Sequence, residues 1–259
     1  MLLAIDIGNT ITTNGVFDQD GNLINRFSFS TYSKRTKDEL VALYSSLIDF
    51  KKLSVSDIKS VYISSVVPEV DYKYRDAIDD LLKTRPVFVN HTNKTDINLK
   101  NINPEELGAD RLCNCIAAYE KYGGPVLIID LGTAVTYDLV SDKYEFLGGM
   151  ISTGIELSSW ALIEKTSKLF KTDLTFPEHV ISTTTAGNIQ SGLFYGKLFE
   201  MKGIIDYIKI NLFKDLKVIL SGGFAREFIE KFKDESIIYD ENLTLEGIRC
   251  IYNYDCSKV

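Results

Sequence analysis

The chain has 259 residues, 45% of them hydrophobic and 25% charged, with 17 Gly, 5 Pro and 4 Cys. These values are those of a folded globular chain and exclude collagen, low-complexity disorder and a disulfide-dense mini-protein. The net charge of -7 and the lack of any Lys/Arg run longer than a pair leave no basic stripe that could track a nucleic-acid backbone.

Three short β-rich runs open the chain, Leu2 to Asp6, Ile11 to Phe17 and Leu23 to Ser30, punctuated by Gly8-Asn9 and by Asp18-Gln19-Asp20-Gly21-Asn22. Thr36-Lys37-Asp38-Glu39 has capping-box form and leads an apolar face of Leu40, Leu43, Leu47 and Ile48, which predicts a helix. Val61 to Val67 reads as a buried strand stopped by Pro68, Asp71 to Leu82 as a helix, and Pro86 to Val89 as a short strand. A polar loop from His91 to Leu107 ends with Pro104-Glu105-Glu106 entering a helix expected to run to about Tyr122. Loops of this length usually carry function.

After Gly123-Gly124-Pro125 the order starts again. Strands are expected at Val126 to Asp130, Ala134 to Val140 and Tyr144 to Leu147, then helix from Gly154 to Phe170. A long helix follows from Thr184 to Leu212, then strand Lys217 to Leu220 and two short helices. Both halves therefore read as βββαβα. Ala4-Ile5-Asp6-Ile7-Gly8-Asn9-Thr10 and Ile128-Ile129-Asp130-Leu131-Gly132-Thr133-Ala134 each end an apolar strand in Asp and place Gly two residues on. One such pentad is a weak signal; two at equivalent places in a repeated order are much stronger.

A strand that ends in Asp and turns through Gly exposes backbone amides and small hydroxyls suited to polyphosphate oxygens. Gly8 permits close approach of the chain, and Asn9, Thr10, Thr12 and Thr13 add donors. A carboxylate repels phosphate, so Asp6 and Asp130 suit such a site only with a cation between. A turn-capping role for the two acids is the alternative. No Gly-x-x-x-x-Gly-Lys-Ser/Thr loop is present, the nearest candidate, Gly192 to Lys197, being one residue short and inside a helical pattern. Ser221-Gly222-Gly223 offers a further turn that could pass under an adenosine or serve as a plain strand-to-helix loop.

The four thiols, Cys113, Cys115, Cys250 and Cys256, lack zinc-ribbon spacing and read as reduced, which predicts a cytoplasmic protein; the first strand has no basic lead and is not expected to be a signal peptide. His91 and His179 lie in polar stretches, so a Ser-His or Cys-His nucleophile is poorly supported. Gly108-Ala109-Asp110-Arg111 puts an acid and a guanidinium in the first turn of a helix, where amides also attract anions. There an Asp could take a proton from a substrate hydroxyl while Arg111 holds a carboxylate or phosphate; a helix-start Asp with a solvated Arg is the plainer reading.

Asp6-Ile7-Gly8-Asn9-Thr10, Gly108-Ala109-Asp110-Arg111, Asp130-Leu131-Gly132-Thr133-Ala134 and Gly148-Gly149-Met150-Ile151 together resemble the type III pantothenate kinases over essentially the whole chain. Asn103-Pro104, Ala161-Leu162 and Thr185 ahead of Ile189-Gln190-Ser191-Gly192 are similar to that family too. The resemblance implies an α/β, duplicated ribonuclease-H-like (actin-like ATPase) fold, two βββαβα halves around a nucleotide cleft. The halves are expected at residues 1–115, with the first phosphate motif, and 116–259, with the second phosphate and adenosine motifs.

The implied reaction is ATP-dependent phosphorylation of pantothenate to 4′-phosphopantothenate, the first step of coenzyme A biosynthesis. By the resemblance, ATP would be bound by Asp6, Ile7, Gly8, Asn9, Thr10, Ile11, Thr12, Thr13 and Thr133. Pantothenate would be bound by Gly108, Ala109, Asp110, Arg111 and Thr185. Asp110 would act as general base and Asp130 would hold a monovalent cation, K+ or NH4+, with Mg2+ as the divalent ion. The family works as homodimers with the substrate site at the subunit interface; no nucleic acid and no membrane is expected as partner. Asn101 stands where the family commonly has Tyr, so the pantothenate pocket is expected to lack one aromatic wall; Thr153 stands where the family tends to have Pro, and Asn188 where it has a small apolar or Ser residue. Two other readings stay open at this point, a transcription accessory factor of the same family and another small-molecule kinase on the same fold.

Overall fold

The structure is a computed structural model that describes residues 1–232 and 237–257. The chain divides into two compact units, Met1–Ala117 with the described residues from Asn242 onward, and Ala118–Glu241. The expected halves were 1–115 and 116–259, so the boundary lies close by, but the closing helix joins the first unit.

In the first unit, β1 (Leu2–Ile7), β2 (Ile11–Phe17) and β3 (Leu23–Ser30) form an antiparallel meander, and β4 (Ser60–Ser65) and β5 (Val87–Phe88) add in parallel, giving the order β3-β2-β1-β4-β5. Helix α1 (Lys37–Phe50) begins with the expected capping box, Thr36 accepting from the Glu39 amide while Glu39 accepts from that of Thr36. It packs on α2 (Pro68–Leu82), which starts at a proline, where a missing N–H costs nothing. Leu3, Ile5 and Ile7 of β1, Ile63 of β4, Leu40, Tyr44 and Ile48 of α1, and Tyr74 and Ile78 of α2 share one core.

Helix α3 (Ala109–Tyr122) follows the long loop, whose Pro104–Glu106 stretch is a separate 3-10 turn and not the helix start. Asp255 of α7 (Leu243–Cys256) accepts from Tyr62, from the Asn93 side chain and from the Lys94 amide, which ties that loop down. Thr244 of α7 donates to Asn114 of α3 at 2.8 Å. α7 also lies against β1 and β4, which is why it belongs to the first unit.

The second unit repeats the plan. β6 (Val126–Leu131), β7 (Ala134–Val140) and β8 (Phe146–Thr153) form the meander, β9 (Lys217–Ser221) and β10 (Ile237–Tyr239) the parallel additions, in the order β10-β9-β6-β7-β8. β8 runs on through Gly148-Gly149 to Thr153 where the sequence reading stopped it at Leu147, because its ladder with β7 is continuous apart from one irregularity. β10, three residues long, was not anticipated. α4 (Ile155–Glu164) is shorter than expected, while α5 (Thr185–Asn211) matches its predicted span within a residue at each end. Phe194 and Leu198 of α5, Phe228 of α6 (Ala225–Ile229) and Ile129 and Leu131 of β6 meet in a second core. Among the described residues no helix is long and apolar enough to cross a membrane.

Candidate active site

In open sheets with parallel strands, ligand-binding groups collect at the carboxyl ends of those strands. In the first unit that end is built by three segments far apart in sequence. Asp6 ends β1, and the Gly8 amide closes the following turn on the Ile11 carbonyl at 3.1 Å. Asn9, Thr10 and Ile11 are exposed on this turn, Gly8 and Thr13 partly so, and Ile7 is buried. Ser64, at the end of β4, donates to Asp6 Oδ1 at 3.0 Å. Thr12 differs from its neighbours on this turn. It is fully buried, and its hydroxyl lies between those of Thr31 and Tyr74 at 2.8 and 3.0 Å, so that side chain belongs to the core network of the sheet and of α2. Alternation along a strand explains the difference, since Thr13 and Thr12 face opposite sides.

The third segment is Gly108 to Arg111. The Gly108 carbonyl accepts the first bond of α3, from Leu112 at 3.0 Å, and Ala109 is buried beneath. The Asp110 carboxylate accepts the Arg111 amide at 2.7 Å. Burial pushes its pKa above the usual carboxylate value, and the Arg111 amide and guanidinium only partly counter this. A Cβ on Gly108 would stand 2.7 Å from Asp110 Oδ1, so only glycine leaves that carboxylate its place. One turn on, the buried Cys113 thiol is pushed well up by burial and further by the charges of Asp6 and Asp110. Asn101, the departure from the family pattern, is exposed in the preceding loop.

In the second unit the Gly132 amide closes the turn after Asp130 on the Ala134 carbonyl, also at 3.1 Å. Thr133 is exposed at the tip, and its carbonyl accepts from Gly154 at the start of α4. Gly222 has φ +90, and a Cβ there would come within 2.4 Å of Asp130 Oδ1, so the Ser221-Gly222-Gly223 turn lies against that acid. The Thr136 hydroxyl, in register with Asp130, is buried without a partner. Thr185 is exposed in the first turn of α5, behind the Thr184 cap. Gly192 to Lys197 is helical, as the rejection of a phosphate loop required.

An all-oxygen donor set of one acid and an unsatisfied hydroxyl fits a hard cation. Among the described residues no three His, Cys, Asp or Glu side chains converge as a metal cage. The mode that suits one carboxylate is a cation shared with phosphate oxygens.

The type III pantothenate kinase family matches residues 2–207. The chain is 38% identical over 253 residues to the type III pantothenate kinase of Agathobacter rectalis, covering 97% of this chain and 96% of that one. It is 37% identical over 252 residues to that of Halalkalibacterium halodurans, covering 97% and 98%. The chain belongs to the type III pantothenate kinases. In fold it is similar to the activator of the 2-hydroxyisocaproyl-CoA dehydratase from Clostridium difficile, solved with bound ADPNP. The TM-score is 0.57 at 14% identity, over 99% of this chain and 95% of that one. The pantothenate kinase fold of this chain is thus the duplicated ribonuclease-H-like arrangement seen in actin-like ATPases and sugar kinases.

What sequence reasoning missed in this pantothenate kinase are the groups behind the acids. Ser64 and Cys113 carried no motif of their own, and only the pairing of β1 with β4 and the seating of α3 bring them to Asp6 and Asp110.

Proposed function

We propose that this chain transfers the γ-phosphoryl group of ATP to the primary hydroxyl of pantothenate, giving 4′-phosphopantothenate, with Asp110 as the general base. Family membership supports the substrates, and one observation carries the role of Asp110. It is a partly buried carboxyl with a raised pKa, at a helix start, beside the Gly108 backbone and Arg111. A base whose pKa is lifted toward neutrality takes a hydroxyl proton better than an ordinary carboxylate.

In this reading Asp110 accepts the hydroxyl proton as the oxygen attacks in line, and Arg111 with Gly108 and Ala109 holds the pantothenate carboxylate and amide. Thr185 contributes a hydroxyl to the same substrate. The amides and hydroxyls of the Gly8 to Thr10 turn, with Thr13, and of the Thr133 turn receive phosphate oxygens. Asp6 would hold Mg2+ and Asp130 a monovalent cation, K+ or NH4+, and such ions would supply the positive charge that lets acids stand beside phosphates.

We further propose that the protein works as a homodimer in the cytoplasm. Support for the dimer comes from β8 and α5 of the second unit. Met150 and Ile151 on the edge strand and Phe199, Tyr207 and Ile210 on the helix are exposed, and a largely apolar cleft of about 670 Å³ lies between the two elements.

The test is direct. Purified protein with ATP, Mg2+ and pantothenate is assayed for 4′-phosphopantothenate with and without K+, against a panel of other hydroxyl compounds. Turnover confined to pantothenate and stimulated by K+ is expected; turnover of a sugar and not of pantothenate would overturn the assignment.

A further inference from the structure

The two motif acids share more than their turns. In the first sheet Asp6 is in register with Thr13 on β2 and Ser64 on β4; in the second, Asp130 is in register with Thr136 on β7 and Ser221 on β9. In-register neighbours project from one face of a sheet, so each acid stands in a row between a threonine and a serine. The row is a further trace of the duplication, and its hydroxyl residues, unlike the two acids, lie outside the motifs that carry the family resemblance.

Ser64 is fully buried, so it offers no surface of its own to a ligand. What it does have is the 3.0 Å bond to Asp6 Oδ1 and a side-chain hydrogen bond with the buried Cys113 thiol of α3. The terminal torsion of an aspartate is broad, and a strand-end acid without a donor samples several orientations. A charge-assisted bond to one oxygen selects one of them before any ligand arrives. Val66, two residues on, lies 3.7 Å from where a Gly108 Cβ would be, so the same short segment also borders the start of α3.

We infer that Ser64 is a positioning residue, its hydroxyl orienting the Asp6 carboxylate for the complex of a divalent cation with nucleotide. This rests on the nucleotide site proposed at Asp6 and adds a residue to it. Ser64 touches neither nucleotide nor cation and acts only through Asp6.

The experiment compares Ser64→Ala, Ser64→Thr and Asp6→Asn with the unaltered protein. Affinity for the non-hydrolysable analogue ADPNP is measured by calorimetry with and without Mg2+, and the KM values for ATP and pantothenate are measured beside it. For Ser64→Ala we expect ADPNP affinity and ATP KM each to worsen about tenfold, the scale of one lost bond to a charged group. The Mg2+ requirement is expected to rise, and the pantothenate KM to stay unchanged. Ser64→Thr, which keeps the hydroxyl, is expected to restore binding, an outcome that a purely space-filling role for Ser64 does not predict. If Ser64→Ala does not fold, Ser64→Cys, a weak donor of similar size, takes its place with the same readouts. Normal Mg2+-dependent binding in Ser64→Ala, with binding lost in Asp6→Asn, overturns the positioning role alone. Normal binding in Asp6→Asn overturns the nucleotide site itself.

Discussion

The Asp110 carboxylate accepts the backbone amide of Arg111 at 2.7 Å, which holds the acid in the first turn of α3. Burial raises the pKa of this acid from the ordinary 3.8, and the Arg111 amide and charge reverse only part of that rise. A raised folded-state pKa means the unfolded chain ionises first, so stability falls as pH climbs from 3.8 through the raised value. Above that window the ionised Asp110 costs stability. Asp110→Asn is therefore expected to melt higher than the unaltered protein at neutral pH, with the gap closing in acid. Its turnover is expected to fall by about a hundred- to ten-thousand-fold, with nucleotide binding kept. Melting curves at several pH values and steady-state assays check both; a variant that is fully active would remove Asp110 from the chemistry.

Gly108→Ala is expected to act on the same carboxylate. Its new methyl would stand 2.7 Å from Asp110 Oδ1, and something must move. Misplacing a reacting group by an ångström costs about a hundredfold in rate. The loss is expected in kcat at saturating ATP and pantothenate, and an unchanged kcat would show that the carboxylate has room to spare.

Gly222 faces a similar conflict on two counts. Its φ of +90 is strained for any L side chain, and the added atom would meet Asp130 Oδ1 at 2.4 Å and the Leu131 amide nitrogen at 2.6 Å. Gly222→Ala is expected to cost about 1–3 kcal/mol and to lower the melting temperature by several degrees. Because the clash lands on Asp130, the K+ concentration for half-maximal activity is expected to rise. A K+ titration beside the melt separates this effect from simple destabilisation.

Lys197 is buried on α5 and donates to both oxygens of Glu200, which also accepts from Tyr137 and Ser152. Burial works to raise the pKa of Glu200, but Lys197, Tyr137 and Ser152 outweigh it and the result lies below 4.5. For a lowered carboxylate the contribution to stability is present above 4.5 and is lost as pH falls through the lowered value. Glu200→Gln is expected to flatten acid unfolding in that range. A double-mutant cycle with Lys197→Met is expected to return a coupling of about 1–3 kcal/mol, while additive effects would show the two charges to be independent.

The exposed apolar side chains of α5 give the dimer proposal its own check. Tyr207→Glu combined with Ile210→Glu is expected to turn a dimer into a monomer in analytical ultracentrifugation, since charges at an interface core are strongly disfavoured. An unaltered protein that sediments as a monomer at every concentration would rule the dimer out.

Both turns were legible because an apolar strand ending in Asp-x-Gly is a local pattern, and its repetition at Asp6 and Asp130 announced the duplicated fold. The helix start at Asp110 was legible for the same reason. Thr12 was not, since the run of hydroxyls from Thr10 to Thr13 looks uniform until strand alternation turns one of them into the core. The strand through Gly148 and Gly149 was cut short because glycine carries no strand preference, and only pairing with β7 holds it extended. The seating of α7 on the first unit is not legible in the sequence, because the Asp255 and Thr244 bonds that anchor it span more than a hundred residues.

By itself the order of residues determined the family, the repeated βββαβα plan and the acids at its turns, because each is written in short-range periodicity and spacing. Only the tertiary structure decided what stands behind those acids: Ser64 against Asp6, Gly222 against Asp130, and Cys113 against Ser64. Such neighbours are chosen by strand register and helix seating, and those follow from the burial of whole faces, which no local window of sequence contains.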